Sequence, residues 1–181
     1  SAAQALSIQV HPTIEQAKAG FDFEEANGPE RSAPNRNYKD TNHKPELICA
    51  LTPFVAMCGF RTISQITSLL QKLKSPWLNK WIKSWDTHNE NPNAQLKKAY
   101  LDLLQLDESK QKEYSKELVE AITSYIGTKP SKNDLKAYAS QSILSPYMEC
   151  LLLDEYYSGD VAIISPFLMQ LEHLEIGPAL F

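Results

Sequence analysis

Nowhere in the 181 residues does the sequence reach a long hydrophobic run; a membrane-spanning helix needs roughly 18 consecutive apolar residues. A basic-then-apolar leader ahead of a cleavage site is also missing. No membrane partner is expected, and the cytoplasm is the expected location. Positive charge is in short supply: 18 Lys and Arg against 22 Asp and Glu leave a net charge of −4. Pairs such as Lys97-Lys98 are too short to track a phosphate backbone, so no nucleic-acid partner is expected. Cysteine is scarce as well. Cys49, Cys58 and Cys150 are odd in number and lack paired metal spacing, which excludes a disulfide scaffold, fits a reducing compartment and leaves them as packing residues. No fixed-period repeat argues for a solenoid. With no initiating methionine and a stop in mid-run at Phe181, the chain is expected to be a fragment of a larger protein lacking both ends.

What is present suffices for folding: 43% of residues are hydrophobic, enough for one substantial core or a core with a small satellite. Leu6 to Pro12 alternates apolar and polar side chains, the period of a strand, with Ser7, Gln9 and His11 on one face and Leu6, Ile8 and Val10 on the other. That polar face is either simply solvated or metal-binding. Thr13 and Gln16 form a capping box for a helix to Phe23. Asn27 to Asn37 reads as a loop. A second strand is expected over Glu46 to Leu51, opened by Pro45 and ended by Thr52-Pro53.

From Arg61 the apolar spacing changes to three and four, and six helical segments follow to Gly159. Their starts are Thr62 with Gln65, Ser75-Pro76, Asn91-Pro92, Asp107, Ser131 with Asp134, and Ser145-Pro146. Leu96, Ala99, Leu103 and Leu104 are expected inward on the segment ending at Leu106. Tyr114, Leu118, Ile122 and Tyr125 mark the next, and a further helix should run to about Ile143. Trp77, Trp81 and Trp85 fall at i, i+4 and i+8 and are assigned to the core rather than to a binding platform. Leu168 to Ile176 reads as a returning strand.

Asn37 to Phe60 runs Asn-Tyr-Lys-Asp-Thr-Asn-His-Lys-Pro-Glu-Leu-Ile-Cys-Ala-Leu-Thr-Pro-Phe-Val-Ala-Met-Cys-Gly-Phe. Together with Ser-Ile-Gln-Val-His-Pro, it resembles type I mannose-6-phosphate isomerase, also called phosphomannose isomerase. The resemblance resumes at Gly159-Asp160 and Ser165-Pro166-Phe167. It implies an α+β protein, mostly helix, with incomplete cupin-type β segments at both ends and an inserted all-helical domain. The divisions expected are 1–60 for the part of the β domain with the metal ligands, 61–159 for the helical insertion, and 160–181 for the start of the returning β segments.

An amide, an imidazole and a carboxylate suit zinc. The resemblance implies that Gln9, His11 and Glu46 are ligands of one zinc ion, that Lys44 is a catalytic acid or base, and that Ser7 contacts substrate. It further implies interconversion of mannose 6-phosphate and fructose 6-phosphate. The family's fourth ligand, a histidine on a Pro-His-Ala-Tyr type segment, is absent from this chain, so an empty or partly filled site and an inactive fragment are expected. His43, His88 and His173 are poor substitutes. From the residues alone, Glu46 could instead form an exposed ion pair with Lys44 or with an arginine. Two other readings stand beside this one: a helical protein-interaction module with incidental β segments, and an iron-dependent cupin oxygenase, since His and carboxylate ligands also suit iron(II).

Overall fold

The computed structural model describes residues 5–6, 8–85, 91–139, 141, 143–177 and 179–180. In chain order these form α1 (Ile14–Asn27), β1 (Ile48–Cys49), β2 (Phe54–Phe60), α2 (Ile63–Leu70), a 3₁₀ turn, α3 (Pro76–Lys83) and α4 (Pro92–Leu104). There follow α5 (Glu108–Ile126), α6 (Lys132–Ala139), α7 (Pro146–Tyr157), a second 3₁₀ turn (Val161–Ile164), α8 (Ser165–Leu168), β3 (Met169–Leu174) and β4 (Ala179–Leu180). β1 pairs with β4 and β2 with β3, both antiparallel. The class is α+β with helix in the majority. Among the described residues no helix is long and apolar enough to cross a membrane. The chain divides into two compact units, one of Ala50–Gly177 and one of Ser1–Cys49 with Pro178–Phe181.

In the larger unit the helix starts follow from local chemistry. Thr62 Oγ1 accepts from the Gln65 amide at 3.3 Å while the Thr62 amide donates to Gln65 Oε1 at 2.9 Å. This reciprocal box satisfies two donors that a helix start leaves unpaired. Asn91, Asp107 and Ser145 cap α4, α5 and α7 in the simpler one-way manner. Ser75 makes no cap bond, so at α3 the fixed φ of Pro76 starts the helix.

The apolar faces of these helices meet in one core: Ile66, Leu70, Leu78, Leu118, Ile122, Val161, Ile164, Phe167 and Leu168 are all at most 1% exposed. Trp77 stacks on Tyr114 with ring centroids 4.6 Å apart, and Trp85 meets Trp81 edge-on at 4.8 Å. None of the three indole N–H groups has an acceptor among the described residues, so the stripe acts through area and ring packing. β2 and β3 flank this core. Three steps along β2, from Met57 to Phe60, answer two along β3, from Leu171 to Met169. The extra residue falls at Gly59, whose φ of +69° is the left-handed value a bulge glycine takes at no steric cost.

Several sequence expectations change. The described part of Leu6 to Pro12 is not a strand; Leu6 and Val10 are 68% and 92% exposed, and alternation makes a strand only when a neighbour accepts the ladder bonds. β1 covers Ile48–Cys49 instead of 46–51, because β4 offers two residues to pair. β2 was not expected, since Phe54–Phe60 is almost uniformly apolar. α4 ends at Leu104, which is 43% exposed and not inward, and α6 ends at Ala139, short of Ile143. Tyr125 is 46% exposed, its ring lying 4.8 Å from that of Tyr147. Past Asp160 a 3₁₀ turn and α8 precede the return to β structure. Only Cys150 packs inside; Cys49 and Cys58 are exposed.

Candidate metal centre

In the smaller unit α1 serves as the frame. Its first turn is fixed by the Thr13 box: Thr13 N donates to Gln16 Oε1 at 2.9 Å, and Gln16 N donates back to Thr13 Oγ1 at 3.3 Å. His11-Pro12 leads directly into this cap. Further along, a Cβ on Gly20 would lie 2.5 Å from the Tyr38 ring, so the missing side chain lets the segment after α1 close onto the helix. At the helix end Glu24 and Arg36 meet, with Glu24 Oε2 3.0 Å from Arg36 Nε. From Tyr38 the chain continues to Lys44-Pro45-Glu46.

His11 Nε2 lies 3.1 Å from Glu46 Oε2, and Lys44 Nζ lies 2.7 Å from Glu46 Oε1. One carboxylate therefore joins an imidazole on one segment to an ammonium on another. The Lys44 hydrogen bond and charge, with a smaller contribution from His11, hold the Glu46 carboxyl below the usual carboxylate range. The His11 and Glu46 side chains are 31% and 43% exposed, open enough to admit an ion. An open groove of about 550 Å³ lies beside His11, lined also by Gln16, Gly20 and Tyr38.

Two ligands about 2.0–2.2 Å from a tetrahedral zinc stand roughly 3.4 Å from each other. The 3.1 Å separation of His11 Nε2 and Glu46 Oε2 is close to this, and neutral imidazole nitrogen with carboxylate oxygen is a zinc donor set. The pair fits one edge of such a site. Gln9 is exposed and makes no hydrogen bond to His11 or Glu46 among the described residues. Ser7 and His88 lie outside the described residues. His43 is exposed, and His173 faces Glu175 at 3.3 Å. Among the described residues, no three or more His, Cys, Asp or Glu side chains gather closely enough to hold a metal ion.

Sequence reasoning therefore finds three residues that the fold brings together, His11, Lys44 and Glu46. The ion pair of Glu46 with Lys44 is present, and the other carboxylate oxygen faces His11. The Glu24–Arg36 pair and the Gly20–Tyr38 contact were not anticipated. Arg36 adjoins the Asn37-Tyr38 motif, yet nothing in the spacing signals that its guanidinium is buried.

Residues 1–63 match the family described as phosphomannose isomerase type I, catalytic domain. The chain is 36% identical to the mannose-6-phosphate isomerase of Salmonella typhimurium over 182 residues, covering 99% of this chain and 41% of the relative. It is 35% identical to the mannose-6-phosphate isomerase of Escherichia coli K12, with the same coverage. Among solved structures it resembles that of mannose 6-phosphate isomerase from Salmonella typhimurium bound to its substrate, fructose 6-phosphate, and zinc. The TM-score is 0.70 at 34% identity, over 98% of this chain and 40% of that one. The chain thus spans about 41% of the length of these curated relatives.

Proposed function

We propose that this chain, whose sequence is related to the type I phosphomannose isomerases, supplies part of the metal centre of a mannose-6-phosphate isomerase. The reaction is the aldose–ketose interconversion of mannose 6-phosphate and fructose 6-phosphate. The observation that carries the reading is the meeting of His11, Glu46 and Lys44, at contacts of 3.1 and 2.7 Å, inside the 63-residue stretch that matches the family's catalytic domain. The same contact argues against a helical interaction module with incidental β segments, which has no need to bring His11 to Glu46. Zinc in the related Salmonella structure favours zinc over iron.

His11 Nε2 and Glu46 Oε2 would hold the zinc, with the Gln9 amide oxygen as third donor. When bound, the ion supplies a Lewis acid that stabilises negative charge developing on the sugar oxygens. Lys44 holds a proton at Nζ beside Glu46, and its role is to pass a proton to or from the substrate as hydrogen moves between C2 and C1. Glu46 keeps that ammonium oriented. Ser7 would contact the substrate. The larger unit contains the helical insertion, expected over 61–159 between β segments at 1–60 and 160–181. A phosphorylated sugar does not cross a bilayer unaided, which supports a cytoplasmic location. At 41% of its relatives' length, the isolated chain is expected to show no turnover.

Two experiments test this. Zinc titration of the chain should give weak one-to-one binding, as a site short of its fourth ligand would, that His11→Ala and Glu46→Gln each weaken at least tenfold without abolishing it; binding indifferent to both would contradict the site. A hybrid in which this chain replaces the aligned residues of the Salmonella enzyme should form fructose 6-phosphate from mannose 6-phosphate. A folded, zinc-loaded hybrid without turnover would count against the function.

A further inference from the structure

The structure assigns to the buried Glu24–Arg36 pair the task of setting the Glu46 carboxylate against His11. We infer that these two are positioning residues for the metal centre, an inference that rests on the function proposed above. Among the described residues of the smaller unit, the buried side chains are Ala17, Glu24 and Arg36. An apolar core is therefore not what fixes the segment from Gly28 to Glu46 onto α1, and a polar one takes its place.

That polar centre is densely hydrogen-bonded. Arg36 donates to the carbonyl oxygens of Tyr38, Glu24 and Pro29 at 2.8, 2.9 and 2.8 Å, and to Glu25 Oε1 at 2.7 Å. Glu24 accepts from the Tyr38 amide at 2.8 Å and from Asn37 Nδ2 at 3.0 Å, besides facing Arg36 at 3.0 Å. The guanidinium thus pins the segment at Pro29 and Tyr38 while holding the helix at Glu24 and Glu25. Eight residues after Tyr38 the chain reaches Glu46, so the place where Arg36 anchors it determines where that carboxylate can lie. His11 is fixed from the other end of the same helix by the Thr13 cap. Lysine keeps the charge of arginine but not its planar fork, and it cannot make this set of bonds. Removing Arg36 leaves the buried Glu24 carboxylate without its cation, and removing the Glu24 charge leaves the guanidinium paired with Glu25 alone.

The test uses Arg36→Lys, with Glu24→Gln as a second variant of nearly unchanged shape, each checked for an intact α1 by its backbone amide NMR signals. In the metal-free chain, nuclear Overhauser contacts between the His11 ring and the Glu46 methylenes should be present and should disappear in both variants. Zinc affinity should fall at least tenfold. In a Glu46→Gln background, where the positioned group has gone, Arg36→Lys should cause no further loss, whereas a general structural effect would lower affinity in both backgrounds. Retained contacts with affinity within twofold of the parent, or an equal loss in the Glu46→Gln background, would overturn the assignment. If Arg36→Lys disrupts α1, Glu24→Gln decides. A parent chain that shows the contacts yet binds no zinc defeats the metal reading, and loss of the contacts in the variants then decides the positioning role alone.

Discussion

Glycine inside a helix is destabilising by roughly 0.5–1 kcal/mol relative to alanine, so Gly20 within α1 needs a reason. The Tyr38 ring provides it, since a Cβ there would approach within 2.5 Å. Gly20→Ala should therefore act against its own helix propensity. The expected outcome is displacement of Tyr38, seen as a changed ring chemical shift and a weakened His11–Glu46 contact; an alanine variant with both unchanged would show that the close approach does no positioning. The candidate site itself was largely legible residue by residue. His11, Lys44 and Glu46 carry their chemistry in their side-chain types and sit in a long motif. Glu24 and Arg36 did not stand out, because a buried ion pair has the same letters as an exposed one and its burial depends on contacts 12 residues apart.

At the scale of elements, the two units should respond to pH in opposite directions. In the smaller unit, hydrogen bonds from Arg31 and Arg36 lower the Glu25 carboxyl from 4.5 to about 2. A depressed folded-state value stabilises above pH 4.5, and that stability is lost as pH falls toward 2. The tie between α1 and the segment after it should loosen over that window. On α7, burial raises the Glu149 carboxyl, which hydrogen-bonds Tyr138 on α6. Here the folded chain holds the proton more tightly than the unfolded one, so stability is greatest below the unfolded value near 4.5 and is lost as pH rises through the raised value. Glu149→Gln removes the penalty and should raise Tm at neutral pH, with no gain at pH 4. An equal change at both pH values would contradict the cause.

Element boundaries show what a local pattern can carry. The Thr13–Gln16 and Thr62–Gln65 boxes span three residues, and both helices start where those residues place them. Strands are different. The described residues of the alternating Leu6 to Val10 stretch form no strand, while β2 formed from an unpatterned apolar stretch because β3, more than a hundred residues later, pairs with it. Leu168 to Ile176 already read as a strand, and β3 lies within it, but nothing in Phe54–Phe60 alone marked it as the partner.

For the whole molecule, stability and site chemistry are divided between the units. The larger unit contains the apolar core, with Phe167 among its largest fully buried side chains. Phe167→Ala should cost about 3–5 kcal/mol, read from urea unfolding of the larger unit. Against a typical domain stability of roughly 5–15 kcal/mol that is a severe loss; a cost under about 1 kcal/mol would mean that the ring is not part of a close-packed interior. Among its described residues the smaller unit has few buried apolar groups and holds its segments by hydrogen bonds, which suits the ion-binding role proposed for it.

X-ray absorption at the zinc edge of the zinc-loaded chain reads that arrangement directly. The expected spectrum has nitrogen and oxygen neighbours at about 2.0–2.2 Å, with imidazole scattering that His11→Ala removes and a first-shell loss in Glu46→Gln. A sulfur shell at about 2.3 Å, or a spectrum that neither substitution alters, would place the metal elsewhere and contradict the assignment of His11 and Glu46.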